Sequence, residues 1–265
     1  MTYNRGKRRK NSQVKKSVHV EPIKSLLDVM EDGNEYESIV KHPSIDINFA
    51  HEIRRSIDEI EKARGKKLVC ILSNVINGRI KENTGIDNTD DLPFTEMIAQ
   101  IEPDTKDIDI MLVTPGGSAQ QVARFVDTLR PRFENVSFIL PFMAMSAGTI
   151  FAMSGDEIIM NSSSFIGPID PQVPSKNGRW LPAQAILTLI DEIQKRGVKL
   201  GKEGKNVPWT DLQILKNIDA KEIGSAINAS NYSIELVETY LHQYKFKTWD
   251  THSSTGQPVT DDEKK

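Results

Sequence analysis

Two apolar runs, residues 108–113 and 136–140, each stop abruptly at a turn of glycine and other small residues, and each turn opens a helical pattern. The first turn is Thr114-Pro115-Gly116-Gly117-Ser118; the second runs from Pro141 through Ser146-Ala147-Gly148 to Thr149. Short, mostly apolar runs of this length, here interrupted only by Asp109 and Ser137, read as buried strands when turn signals bound them. One helix and one strand separate the two turns, the length of a single crossover between parallel neighbours. The turns therefore fall at the same ends of adjacent parallel strands, where α/β proteins place their sites.

The rest of the chain repeats this alternation. Helices are expected at 25–30, 48–64 (ending near Gly65), 94–101, 119–129 and 146–153, with further buried strands at 68–75 and 157–160. Beyond residue 182 the pattern becomes helical, over 183–196, 208–217, 220–228 and 233–244. The fold class is α/β, a layered domain with a largely parallel sheet and a helical C-terminal part. Three regions are expected: a flexible basic arm over 1–18, one domain over 19–245, and a flexible polar tail over 246–265.

At 265 residues, 38% hydrophobic and 27% charged, the chain has the composition of a soluble globular protein. A net charge of −3 gives no global case for nucleic-acid binding. The arm carries Arg5, Lys7, Arg8, Arg9, Lys10, Lys15 and Lys16 and no acid, so contact with nucleic acid or an anionic membrane and a merely solvated tail are both open. It has no apolar core of the secretory type, and the apolar stretch 138–153, broken by Pro141 and Gly148, is too short to span a bilayer. Cys70 is the only cysteine, which fits a reducing, cytoplasmic compartment.

Paired glycines let a backbone approach a ligand closely, and amides near a helix start can hold developing negative charge. Ser146 has two readings: a helix N-cap, or a nucleophile with room for an acyl group beside Ala147 and Gly148. Neither turn alone decides between a site and a simple connection. Together they bring Gly117 and Ser146 close in space.

The ordered motifs TPGGS (114–118), AMSAGT (144–149) and SFIGPIDPQ (164–172) resemble the superfamily of Clp proteolytic subunits and signal peptide peptidases. The similarity is greatest to the serine dehydrogenase proteinase family, over 68–172 and more thinly to about 245. It implies a Clp/crotonase-type layered fold with repeated ββα units, a homo-oligomer, and a serine peptidase acting on protein or peptide substrates. It implies no cofactor and no metal, and no ATP dependence is evident in the sequence. By resemblance Ser146 is the nucleophile, Gly117 the oxyanion glycine supported by Gly116, and the Ala147 amide the second donor.

The Clp branch uses a histidine base, but His19, His42, His51, His242 and His252 all lie outside 68–172. The signal-peptide-peptidase branch uses a lysine, for which Lys195, Lys199 and Lys202 are candidates and Lys195 is the one selected. A lysine base must lose its charge near neutrality. Ile186, Leu189, Ile190 and Ile193 mark the expected buried face of its helix, from which Lys195 points away, so a neighbouring subunit is a possible setting. Asp170 either orients a base or holds its turn through an Asx-type hydrogen bond. Two alternatives to a peptidase remain: crotonase-type chemistry on an acyl-CoA, and a non-catalytic scaffold or binding protein.

Overall fold

The computed structural model describes residues 49–75, 84–176, 178–260 and 262–263. The expected basic arm and the helix at 25–30 lie outside them. The chain divides into two compact units, residues 1–59 and 60–265. Helix α1 (Phe49–Arg64) runs across the division, and in its first part Arg55 pairs with Glu52 and Glu59.

The second unit is built on strands β1 (Lys67–Leu72), β2 (Asp107–Val113), β3 (Asn135–Leu140) and β5 (Glu157–Met160), paired in parallel in the order β1-β2-β3-β5. Between them run α2 (Asp91–Ala99), α3 (Ala119–Leu129) and α4 (Ala147–Met153). A strand order that follows the chain, with right-handed crossovers, sets these helices on one face of the sheet. That face is buried: Ile108, Ile110, Leu112, Val136, Phe138 and Leu140 alternate inward with no exposure. Phe94, Phe125, Phe138 and Phe151 fill the layer with tilted and edge-on ring contacts, 4.2–6.2 Å between centroids.

On the other face the in-register residues Asp109, Ser137 and Glu157 form a polar row near the N-terminal ends of the strands. Arg64 grips buried Asp109 at 2.8 and 3.3 Å and Glu157 at 3.0 Å, while Lys66 reaches Ser137 at 2.8 Å. A charge buried in a sheet is tolerable when paired in this way.

Short pieces complete the unit. β4 (Met143–Ala144) pairs in parallel with β6 (Phe165–Ile166), and β7 (Gln172–Pro174) with β8 (Trp180–Pro182) as an antiparallel hairpin. Helices α5 (Ala183–Lys202), α6 (Trp209–Asn217) and α7 (Ala220–Tyr240) follow.

Two expectations need correction. Segments 220–228 and 233–244 are not separate helices: α7 is continuous through Asn228, Ser230 and Asn231 and ends in a π-type turn, Leu241–Lys245. Burial of Ala226, Ser233, Leu236 and Tyr240 along one side outweighs the weak helix propensity of the middle. On α5 the buried residues are Ala183, Ile186 and Ile193, whereas Leu189 is at the surface, because the helix packs on α7 and β8 along a narrower stripe. Among the described residues, no helix is long and apolar enough to cross a membrane.

Beneath the sheet, Asp156 accepts from Arg130 at 2.8 Å and from the Val136 amide at 2.8 Å, and pairs with Lys247 at 2.5 Å. The Arg130 guanidinium lies 3.8 Å over the Tyr244 ring, so the chain beyond α7 is fastened to the sheet. Burial works against the Asp156 charge, but the bonds from Arg130, Lys247 and Val136 outweigh it and hold its pKa at about 2. A carboxylate held below its unfolded value of about 4 stabilises the fold above that pH and loses the effect as pH falls toward 2. The stability gap between wild type and Asp156→Asn, on the order of 1–2 kcal/mol after solvent screening, is therefore expected to close between pH 4 and 2 in urea unfolding.

Candidate active site

The main chain ties the two turns together. Strand β2 continues past Val113 so that the Thr114 amide donates to the Met143 carbonyl at 3.0 Å and the Met145 amide to the Thr114 carbonyl at 3.1 Å. Thr114 is fully buried, and its hydroxyl accepts from the Gly116 amide at 3.1 Å. On the far side, Ile86 donates to the Gly116 carbonyl at 2.7 Å and accepts from Ser118 at 2.8 Å.

This clamped loop requires glycine. Gly116 and Gly117 have φ of +109° and +139°, where side chains are strained. A Cβ on Gly116 would stand 2.8 Å from the Ser146 Cβ, and one on Gly117 would stand 2.2 Å from the Ile86 carbonyl oxygen. The loop and the serine are thus in contact, as the sequence predicts.

The two serines of the turns differ. Ser118 is an ordinary N-cap, extended in backbone, accepting from the Gln121 amide at 3.2 Å. Ser146 caps nothing with its side chain, and its φ of 51° and ψ of −118° make it the one non-glycine residue of positive φ among those described. These angles suit the first central residue of a II′ turn, usually glycine. A side chain kept there costs on the order of 1–3 kcal/mol, and strain of this kind clusters at functional sites. The N-cap reading of Ser146 is therefore set aside. Helix α4 has only seven residues, so the dipole expected to assist Ser146 is that of a short helix.

Hydrogen bonds also fix the turn from below. Gly148 donates to the Met145 carbonyl at 2.8 Å, and the Thr149 hydroxyl lies 3.0 Å from the Ala144 carbonyl and 2.9 Å from that of Gly167. The Gly167 amide donates to Ala144 at 2.9 Å, which draws the 167–171 turn to the Ser146 turn. The main-chain bonds around both turns leave the amides of Gly117 and Ala147 unused.

Gly117, Ser146, Ala147 and Asp170 line one cleft of about 960 Å³. Ile86, Asp87 and Pro115 form further parts of its wall, with Pro168 and Ile169, exposed Trp180, and Ala229, Tyr232 and Ser233 from α7. Burial, with the charges of Asp127 and Glu235, pushes the Tyr232 hydroxyl up, so it stays neutral. Among the described residues, no lysine, arginine or histidine lines the cleft. A hydroxyl and unused amides on one concave surface suit addition to a carbonyl and binding of the resulting oxyanion.

Lys195 stands apart from this group. Its side chain is 75% exposed on α5 and pairs with Asp191 at 2.6 Å; that hydrogen bond raises its pKa, the opposite of what a base requires. Lys199 and Lys202 are also exposed and outside the cleft lining. Asp170 makes no Asx-type bond: its Oδ1 is buried without a hydrogen-bond partner. Sequence reading missed Thr114, Thr149 and the α7 wall; the only signal for Thr114 was its place directly before Pro-Gly-Gly. Among the described residues no cluster of acidic, histidine or cysteine side chains fits a metal ion.

A glycine loop and a strained serine on neighbouring parallel strands place the protein in the Clp/crotonase class of α/β folds. The chain belongs to the ClpP-like SDH-type serine proteinase family, whose profile matches residues 80–227. It is 28% identical over 154 residues to one uncharacterized protein of Methanocaldococcus jannaschii, covering 56% of this chain and 49% of the relative. A second from that organism is 33% identical over 90 residues, covering 34% and 30%. The ATP-dependent Clp protease proteolytic subunit of Streptococcus agalactiae is 35% identical over 100 residues, covering 36% and 50%. The chain thus spans half or less of the length of these relatives. Among solved structures, it resembles a membrane-bound stomatin-specific protease at 27% identity and a TM-score of 0.34, covering 48% of this chain and 60% of that one. It also resembles the ClpP catalytic domain of Plasmodium falciparum at 16% identity and a TM-score of 0.29, covering 42% and 53%.

Ser146→Gly is expected to raise unfolding stability by about 1–2 kcal/mol by relieving the backbone. Gly117→Ala is expected to lower it by about 2–4 kcal/mol, because strain and a main-chain clash act together. Denaturant titration of both variants checks the opposite signs.

Proposed function

We propose that this protein is a serine peptidase that cleaves peptide bonds through an acyl-enzyme on Ser146. The Ser146 hydroxyl adds to the scissile carbonyl, and the amides of Gly117 and Ala147 receive the oxyanion. Collapse expels the amine and leaves the acyl-enzyme, which water then hydrolyses. The observation that carries this reading is the strained backbone of Ser146 beside the positive-φ glycine loop, in a turn where the side chain has no structural bond.

The base is a lysine, with Lys195 proposed in that role, and it meets Ser146 in a homo-oligomer. Because Lys195 is exposed and paired with Asp191, this role requires a neighbouring surface that excludes water and separates the pair before the amine turns basic. Unpartnered Leu189 and Val198 on the same helix supply apolar surface for such a contact. The single thiol, Cys70, half-buried and raised in pKa by burial, accords with a cytoplasmic enzyme.

A fluorophosphonate probe is expected to label the wild-type chain and not Ser146→Ala. Failure to label wild type, or equal labelling of both, would sink the peptidase reading and leave a binding protein on a Clp-type fold. Calorimetric binding of CoA thioesters would instead favour enolate chemistry. Lys195→Met is expected to lower peptide turnover by at least about a hundredfold, the usual worth of a general base, with the oligomer intact by light scattering. Unchanged turnover would assign the base elsewhere.

A further inference from the structure

The cleft holds a charge that the peptidase reading does not use. Asp170 is half-buried among Pro168, Ile169 and Pro171, and its Oδ1 is closed off from solvent with no hydrogen-bond partner. Elsewhere in the fold, buried carboxylates are answered: Asp109 by Arg64 and Lys66, Asp156 by Arg130 and Lys247, Asp211 by Arg196. Asp170 is the exception, and it lies in the wall of the cleft that contains Ser146. A carboxylate oxygen left without a partner in a cleft wall is an acceptor with which an entering cation can form a charge-assisted contact.

The cleft favours such a cation as a whole. Asp87 adds a second carboxylate to the wall, where its side chain caps the following turn through the Thr89 amide at 2.8 Å. Among the described residues that line the cavity, the charged side chains are the carboxylates of Asp87 and Asp170, and a cleft lined by one sign of charge favours a ligand of the other. Service to a lysine base is the poorer role for Asp170, because a carboxylate beside an ammonium holds the proton on and opposes basicity.

We propose that Asp170 is a specificity-determining residue that receives a cationic group of the peptide substrate, an arginine or lysine side chain or the N-terminal ammonium. This rests on the peptidase reading for its substrate class. Asp170 follows Gly167, which is hydrogen-bonded to Ala144 two residues before Ser146. Three residues reach at most about 11 Å, so the group recognised lies within a few positions of the scissile bond. Acidic peptides are disfavoured by the same field.

The test is binding and cleavage of seven-residue peptides of otherwise identical sequence, carrying arginine, lysine, citrulline or leucine at each position in turn. Each is prepared with a free and with an acetylated N-terminus. Binding is read by anisotropy on Ser146→Ala, and cleavage on the wild type. Arginine and lysine peptides are expected to bind about ten- to a hundredfold tighter than the neutral ones, the worth of one charge-assisted contact. That gap is expected to close in Ser146→Ala/Asp170→Asn, with neutral peptides little changed. A gap seen only between free and acetylated N-termini assigns the ammonium as the ligand.

Equal binding of arginine and citrulline peptides, with no effect of acetylation, overturns the proposal; this comparison needs no change at Asp170 and stands even if Asp170→Asn does not fold. A gap that survives Asp170→Asn, or an equal loss for charged and neutral peptides, also overturns it. Cleavage without charge preference removes the role of Asp170 and leaves the peptidase standing. Charge-selective binding without any cleavage does the reverse.

Discussion

The main-chain pairing of Thr114 with Met143 and Met145 is the constraint on which the site depends. It extends β2 beyond the sheet and fastens it to the segment entering the Ser146 turn, so the glycine loop and Ser146 cannot separate. A residue in a sparsely populated conformation persists only where its surroundings over-determine it. Here Met145 is held by Thr114 on one side and by Gly148 on the other, while Thr149 anchors the far side to Ala144 and Gly167. Two threonine residues, rather than the glycines alone, make the strain at Ser146 sustainable.

Much of this was legible in the sequence because its cause was local. Short, mostly apolar runs between turn signals located β2, β3 and β5 to within a residue, and the glycine pair and small-residue turn marked two walls of the cleft. What was not legible depends on partners distant in the chain. Helix α7 reads as two helices because Asn228, Ser230 and Asn231 are poor helix formers, and only its packing makes it one. The two-residue strands β4 and β6 have no periodicity to read, yet they bring the Gly167–Asp170 turn beside the Ser146 turn. The place of Lys195 follows its helical phase, which the apolar positions had already set off the buried face.

The molecule also separates its charges by end. At the N-terminal ends of the strands, Asp109, Glu157 and Asp156 meet basic side chains, and the field there is largely cancelled. At the C-terminal ends, where the cleft opens, the buried Oδ1 of Asp170 has no hydrogen-bond partner among the described residues. The compensated end serves stability, and the uncompensated end leaves electrostatic work for a visitor.

Continuity of α7 has a mechanical consequence. Tyr232 belongs to the wall of the cleft, and twelve residues later Tyr244 lies under the Arg130 guanidinium. At 1.5 Å per residue, that distance is about 18 Å along one nearly unbroken rod. A hinge between two helices would have let the ends settle independently. A single rod transmits displacement, so a change in the fastening below the sheet reaches the cleft wall without any residue of the tail touching substrate.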